Sequence, residues 1–154
     1  MPKGPGKQFE KDFIGSVPKR CDITRLKDGA GWSDASNVRF TSNNPCDFIV
    51  WSAKTKRMYK FELKSIQGKS LPFANIKQHQ LDSLCDSRNK GVWSLFVVNY
   101  RAVEETYLVK PETIEACMEN GVRKSLSLAE ARESGIKVKQ TLKRIHWGYD
   151  LEWL

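Results

Sequence analysis

The clearest hydrophobic–polar alternation in the chain runs from Cys46 to Lys64 and predicts a β-hairpin. A four-residue turn at Ala53–Lys56, a common hairpin loop length, sets Ser52 opposite Arg57. Side chains alternate faces along a strand, so two sets follow. Cys46, Phe48, Val50, Tyr59, Phe61 and Leu63 point one way and are apolar or aromatic throughout. Asp47, Ile49, Trp51, Met58, Lys60, Glu62 and Lys64 point the other way, and the register sets Asp47 directly opposite Glu62.

Around this hairpin the pattern predicts further elements. Phe9, Phe13, Ile14 and Val17 recur at helical spacing over Lys7–Val17, with Glu10 beside the stripe and Pro18 closing it. Cys21–Leu26 predicts a first strand, Lys27–Ser36 a Gly- and Ser-rich loop, and Val38–Thr41 a short extended run. Asn75 is expected to cap a helix to about Asn89, with Ile76, Leu84 and Cys85 inward and Gly91 as its stop. Val92–Asn99 and Glu105–Val109 predict neighbouring strands, and Pro111–Glu119 a short helix. Ser127 and Glu130 carry the spacing of a capping box for another helix ending near Gly135. This order predicts an α/β fold, a mixed sheet flanked by helices. Residues 1–6 read as a loose basic arm and 7–154 as a single domain.

Charge narrows the partners. The net charge of +8 and pI near 9.4 favour a polyanion, nucleic acid before membrane. Four widely spaced cysteines, without a CxxC pair or a His at ligand spacing, argue against a structural zinc site and suggest no disulfide framework, so the expected setting is reducing and cytoplasmic. Cys46 and Cys85 read as small core residues. The first residues lack the apolar core of a signal peptide, and no run is long enough to span a bilayer.

The hairpin's polar face carries the chemistry. Like charges opposite one another across a ladder cost roughly 0.2–1 kcal/mol. A divalent cation reverses that sign, since two carboxylates at this spacing form an oxygen site suited to Mg²⁺. Lys64 then stands beside the metal, where it can hold a water nucleophile or offset charge on a phosphate. The plainer reading makes Glu62 and Lys64 a solvated strand face and Asp47 a turn cap. With two histidines in the chain and no Ser/His/Asp or Cys/His arrangement, histidine-based catalysis is not expected.

Pro45-x-Asp47 followed by Glu62-x-Lys64 resembles the PD-(D/E)xK core of restriction-endonuclease-like nucleases. The flanks, Ser65, Gly68, Leu71-Pro72-Phe73, Asn75-Ile76 and His79-Gln80, resemble the RecU family of Holliday-junction resolvases, most closely its short bacterial and phage members. Upstream, Gly6-Lys7-x-Phe9-Glu10 is similar to that family's first helix. The resemblance implies a restriction-endonuclease-like fold and a Mg²⁺-dependent endonuclease, with Mn²⁺ able to substitute, acting as a homodimer on branched DNA. It further implies that Asp47, Glu62 and the Leu63 carbonyl hold the metal. Lys64 would activate water, with Glu10 and Gln80 completing the catalytic set. Lys3, Lys7, Lys69, Lys77 and His79 are the expected DNA contacts, together with the cations of the tail. Two alternatives stay open: a nuclease of the same superfamily acting on flap or duplex DNA, and a non-catalytic DNA-binding module on the same scaffold.

Overall fold

The computed structural model describes residues 4–26 and 44–154, so Lys3, the expected loop at Lys27–Ser36 and the extended run at Val38–Thr41 lie outside it. Helix α1 spans Pro5–Ser16 and starts two residues before the expected Lys7. Pro5 at the first helical position has its φ already set and its missing N–H costs nothing there. Pro5 and Gly6 therefore belong to the helix rather than to an arm. Strands β1 (Cys21–Arg25), β2 (Phe48–Ser52) and β3 (Arg57–Ile66) form an antiparallel meander. Ser52 pairs with Arg57 across the expected turn, whose Lys56 takes a left-handed φ of 55° and donates its N–H to the Ser52 carbonyl.

After the short strand β4 (Ser70–Pro72) the chain crosses over through α2 (Gln78–Asn89) to β5 (Trp93–Tyr100), which pairs in parallel with β3. Strand β6 (Glu105–Val109) and helix α3 (Pro111–Glu119) have the expected bounds. Strand β7 (Ser125–Ser127) pairs with β4, and helix α4 (Leu128–Ser134) opens on the expected Ser127/Glu130 capping box. Strand β8 (Ile136–Val138) completes a six-stranded sheet of order β1-β2-β3-β5-β6-β8. A hairpin of β9 (Gln140–Lys143) and β10 (His146–Tyr149) follows.

Two apolar layers cover the sheet. One joins Phe9 and Phe13 of α1 to Phe48, Val50, Tyr59, Phe61, Leu63, Val97 and the C-terminal Leu151 and Leu154. The other joins Ile66, Phe96 and Val98 to Leu81 and Leu84 of α2, Ile114 of α3 and Ala131 of α4. Alternate residues of β3 thus face different layers.

Two expectations need correction. Asn75 caps no α-helix: it ends a 3₁₀ turn at Phe73–Asn75, Ile76 is extended, and α2 begins at Gln78. Burial of Phe73 and Ile76 anchors that turn and outweighs the local capping preference of Asn75. Cys46 does not share a face with Phe48, since it is buried in the α2 layer. The ladder ends at Phe48 opposite Phe61, and the Asp47 N–H also donates to the Phe61 carbonyl at 3.0 Å. Two residues facing one is the signature of a bulge, which breaks the alternation between Cys46 and Phe48.

Candidate active site

The bulge determines where the first carboxylate goes. Asp47 is not in register opposite Glu62; its Oδ2 accepts the Leu63 N–H at 2.7 Å and its carbonyl accepts the Leu26 N–H at 2.9 Å. It therefore bridges the ends of β1 and β3. The Leu63 backbone lies against this carboxylate, while the Leu63 side chain is buried in the opposite layer.

Glu62 points from β3 beneath α2 and is 2% exposed. Lys64, one step along the same face, places Nζ 2.8 Å from Glu62 Oε1. Glu62 Oε2 has no hydrogen-bond partner among the described residues. Burial pushes the Glu62 carboxyl up to about 7, the charge of Asp47 adds to the rise, and Lys64 and then Gln80 oppose it. Gln80 reaches this place because α2 begins at Gln78, which sets Gln80 in the first turn facing the sheet. It is buried, and its Oε1 also lacks a partner. Two acceptor oxygens without donors, beside a second carboxylate, make a strongly electronegative spot in a buried setting.

That donor set fits a hard divalent cation, which binds oxygen ligands. Thiolate ligation does not fit: burial first, then Glu62 and Asp47, holds the Cys46 thiol up at about 12 despite Lys60. Among the described residues no group of three or more His, Cys, Asp or Glu side chains that could hold a metal gathers.

The remaining expected residues are brought together in part. Glu10 forms an ion pair with Arg25 at 2.6 Å. Arg25 pairs with Phe48 across β1 and β2 and lies over its ring, so Glu10 is drawn to the strand ends that hold Asp47. His79 is half-exposed beside Gln80, whereas Lys7, Lys69 and Lys77 are exposed on α1, the β3–β4 turn and the start of α2.

Sequence reasoning missed the support on the other face of β3. Arg101 donates to Ser65 Oγ at 3.0 Å and to Gln67 Oε1 at 3.2 Å, and Ser65 donates to Asn99 Oδ1 at 3.0 Å. These bonds pin the strand immediately after Lys64. A serine following the Glu-x-Lys run was the sole local signal, because Arg101 arrives from a distant strand end.

Residues 8–147 match the family model of RecU, Recombination protein U. The chain belongs to that family. Its fold is similar to that of Hjc, a Holliday junction resolvase from the archaeal hyperthermophile Archaeoglobus fulgidus. The TM-score is 0.50 at 11% identity, over 77% of this chain and 83% of that one. The RecU architecture here is thus the restriction-endonuclease-like α/β fold expected from the hairpin motif. A search of curated proteins finds no match. Among the described residues of this RecU family member, no helix is long and apolar enough to cross a membrane.

Proposed function

We propose that this protein is a metal-dependent endonuclease that resolves four-way DNA junctions. One observation carries the reading: Glu62 is buried with an unpartnered Oε2, beside Asp47 and ion-paired to Lys64. A non-catalytic scaffold gains nothing from holding that arrangement, whose desolvation cost Lys64 and Gln80 offset only in part. Membership of the RecU family and the Hjc-like fold support junction DNA as the substrate.

Asp47, Glu62 and the Leu63 carbonyl would hold Mg²⁺ or Mn²⁺. When bound, that cation lowers the pKa of a water and offsets negative charge gathering on the phosphate. Lys64 orients the attacking water and lends positive charge to the phosphate oxygens, and its contact with Glu62 keeps it aimed into the site. Gln80 fixes the position of Glu62 and presents its amide to the scissile phosphate. Glu10, held by Arg25, screens the strand end at Asp47. Attack in line with the leaving oxygen leaves a 3′-hydroxyl and a 5′-phosphate. Lys7, Lys69, Lys77 and His79 fix the DNA's register through its backbone, without reading sequence. A homodimer supplies the second site needed to cut opposed strands. The cytoplasm is the setting where such DNA is met.

The test is substitution of either carboxylate. Asp47→Asn or Glu62→Gln lowers junction cleavage by ~10²-fold or more while leaving DNA affinity largely intact. Unchanged cleavage by either purified variant contradicts the assignment.

A further inference from the structure

The β9–β10 hairpin belongs neither to the sheet nor to the site above. Residues 136–149 contain Lys137, Lys139, Lys143 and Arg144, one histidine and no carboxylate. The ribbon is two-faced. Trp147 and Tyr149 turn toward α1, where the Trp147 N–H donates to Asp12 Oδ2 at 3.0 Å and the Tyr149 N–H to Ser16 Oγ at 3.0 Å. Lys143 and His146 pair on the other face, and both are exposed. Lys143 runs across Gly148 so closely that a Cβ there would meet its side chain at 2.7 Å, so the glycine leaves room for the lysine.

The tip is unusual. Arg144 and Ile145 form a two-residue turn, with Arg144 at a φ of 50°. Ile145 is 92% exposed, the most exposed large apolar side chain among the described residues. A β-branched apolar group flanked by cations and held out on a turn does nothing for the core.

The location ties this tip to the active site. Ile145 lines a cleft of about 800 Å³ with Gln8 and Lys11 of α1. Glu10, between those two residues, faces Arg25 and the strand end of Asp47. The tip and the Glu10–Arg25 pair at the Asp47 strand end therefore flank one turn of α1, a body about 10–12 Å across, while Glu62 lies across the sheet beneath α2. Of the carboxylates lining the cleft, Asp12 is committed to Gln8 and Trp147, and Glu152 to Arg20. Lys11 and Lys143 bring the cleft's positive charge, and Arg144 at the turn adds to it on the hairpin itself.

We infer that the β9–β10 hairpin is a second DNA contact, with Lys143 and Arg144 on backbone phosphates and Ile145 set against unstacked bases at the branch point. A two-stranded ribbon suits a DNA groove, and apolar side chains flanked by cations wedge between base steps. At a junction the stacking is already interrupted, so the wedge meets less resistance there than in continuous duplex. This rests on the proposed nuclease reading and adds the element that separates branched from linear DNA.

Binding to a labelled four-way junction and to matched linear duplex is measured in EDTA over a range of salt, so that cleavage plays no part. Lys143→Gln with Arg144→Asn, the asparagine tolerating the positive φ, weakens binding to both DNAs and lowers the salt slope by about 1 per lost contact. Ile145→Ser leaves the salt slope unchanged but lowers the junction-to-duplex affinity ratio by about tenfold. Circular dichroism melting of each variant at the wild-type temperature shows that the fold is kept. Wild-type affinities and slope in all variants overturn the hairpin contact while leaving the proposed nuclease standing. Loss of binding to anionic phospholipid vesicles, with DNA binding unaffected, overturns it in favour of a lipid surface. A wild-type protein without junction affinity overturns both readings.

Discussion

The two faces of strand β3 differ in how they satisfy what they bury. Tyr59, Phe61 and Leu63 lie in an aromatic layer closed by Phe13 of α1 and the C-terminal Trp153. The Phe13–Phe61 and Tyr59–Trp153 ring centroids are 5.6 and 5.7 Å apart in edge-on contact. Lys60, Glu62 and Lys64, one residue out of phase, lie beneath α2, where Glu62 is as deeply buried, the two lysines are half-buried, and Glu62 Oε2 and Gln80 Oε1 have no partner among the described residues. The first face satisfies itself by packing. The second holds a carboxylate that burial penalises and that the proposed cation would offset.

Breaking the packed face gives the largest effect on stability. Phe61 is fully buried, and Phe61→Ala costs about 3–5 kcal/mol, seen as a fall in Tm on the order of 10 °C. A smaller drop would mean that the aromatic layer closes over the void.

On the other face the sign inverts. Glu62 titrates near 7 in the fold against an ordinary value of 4.5, so the folded state holds a proton that the unfolded chain has lost between those values. The metal-free fold therefore loses stability as pH rises from about 4.5 to about 7, and Glu62→Gln removes that loss. In EDTA at pH 8 the variant melts on the order of a few °C above wild type, and the gap closes toward pH 5. Mg²⁺ raises the wild-type Tm at pH 8 and leaves that of the variant nearly unchanged, because ligand binding stabilises only the form that binds it. Equal Mg²⁺ shifts in the two proteins would remove Glu62 from the metal site.

The smallest effect marks the border between the faces. Lys60 Nζ donates to Ser87 Oγ of α2 at 2.8 Å, and Lys60→Met changes stability by no more than about 1 kcal/mol in thermal melts. A larger loss would make this contact part of the structural core.

Legibility from sequence followed the range of the interactions. The hairpin register, β6, α3 and the Ser127/Glu130 box rest on neighbours a few residues apart, and each was readable. Glu62 and Lys64 fall on one face by alternation within β3, and the structure pairs them at 2.8 Å. The bulge at Asp47 was not readable, since its setting involves Leu26, whose N–H donates to the Asp47 carbonyl, and Leu63, whose N–H donates to its carboxylate. Burial of Phe73 and Ile76, decided by distant strands, moved the start of α2 to Gln78. The partners of Glu10 and Ser65, Arg25 and Arg101, come from other strands and leave no mark in local spacing. The β9–β10 hairpin was hidden for another reason: its alternation is short and cations surround it (Lys137, Lys139, Lys143 and Arg144), which reads as a solvated tail.

Incubation of a labelled four-way junction and matched linear duplex with wild-type protein and Glu62→Gln, in Mg²⁺, Mn²⁺ or EDTA, tests the central claim most directly. The account predicts paired nicks on opposed strands of the junction with either metal and none in EDTA. It also predicts a spared duplex and no cutting by the variant. Cutting in EDTA, or by the variant at the wild-type rate, would contradict it.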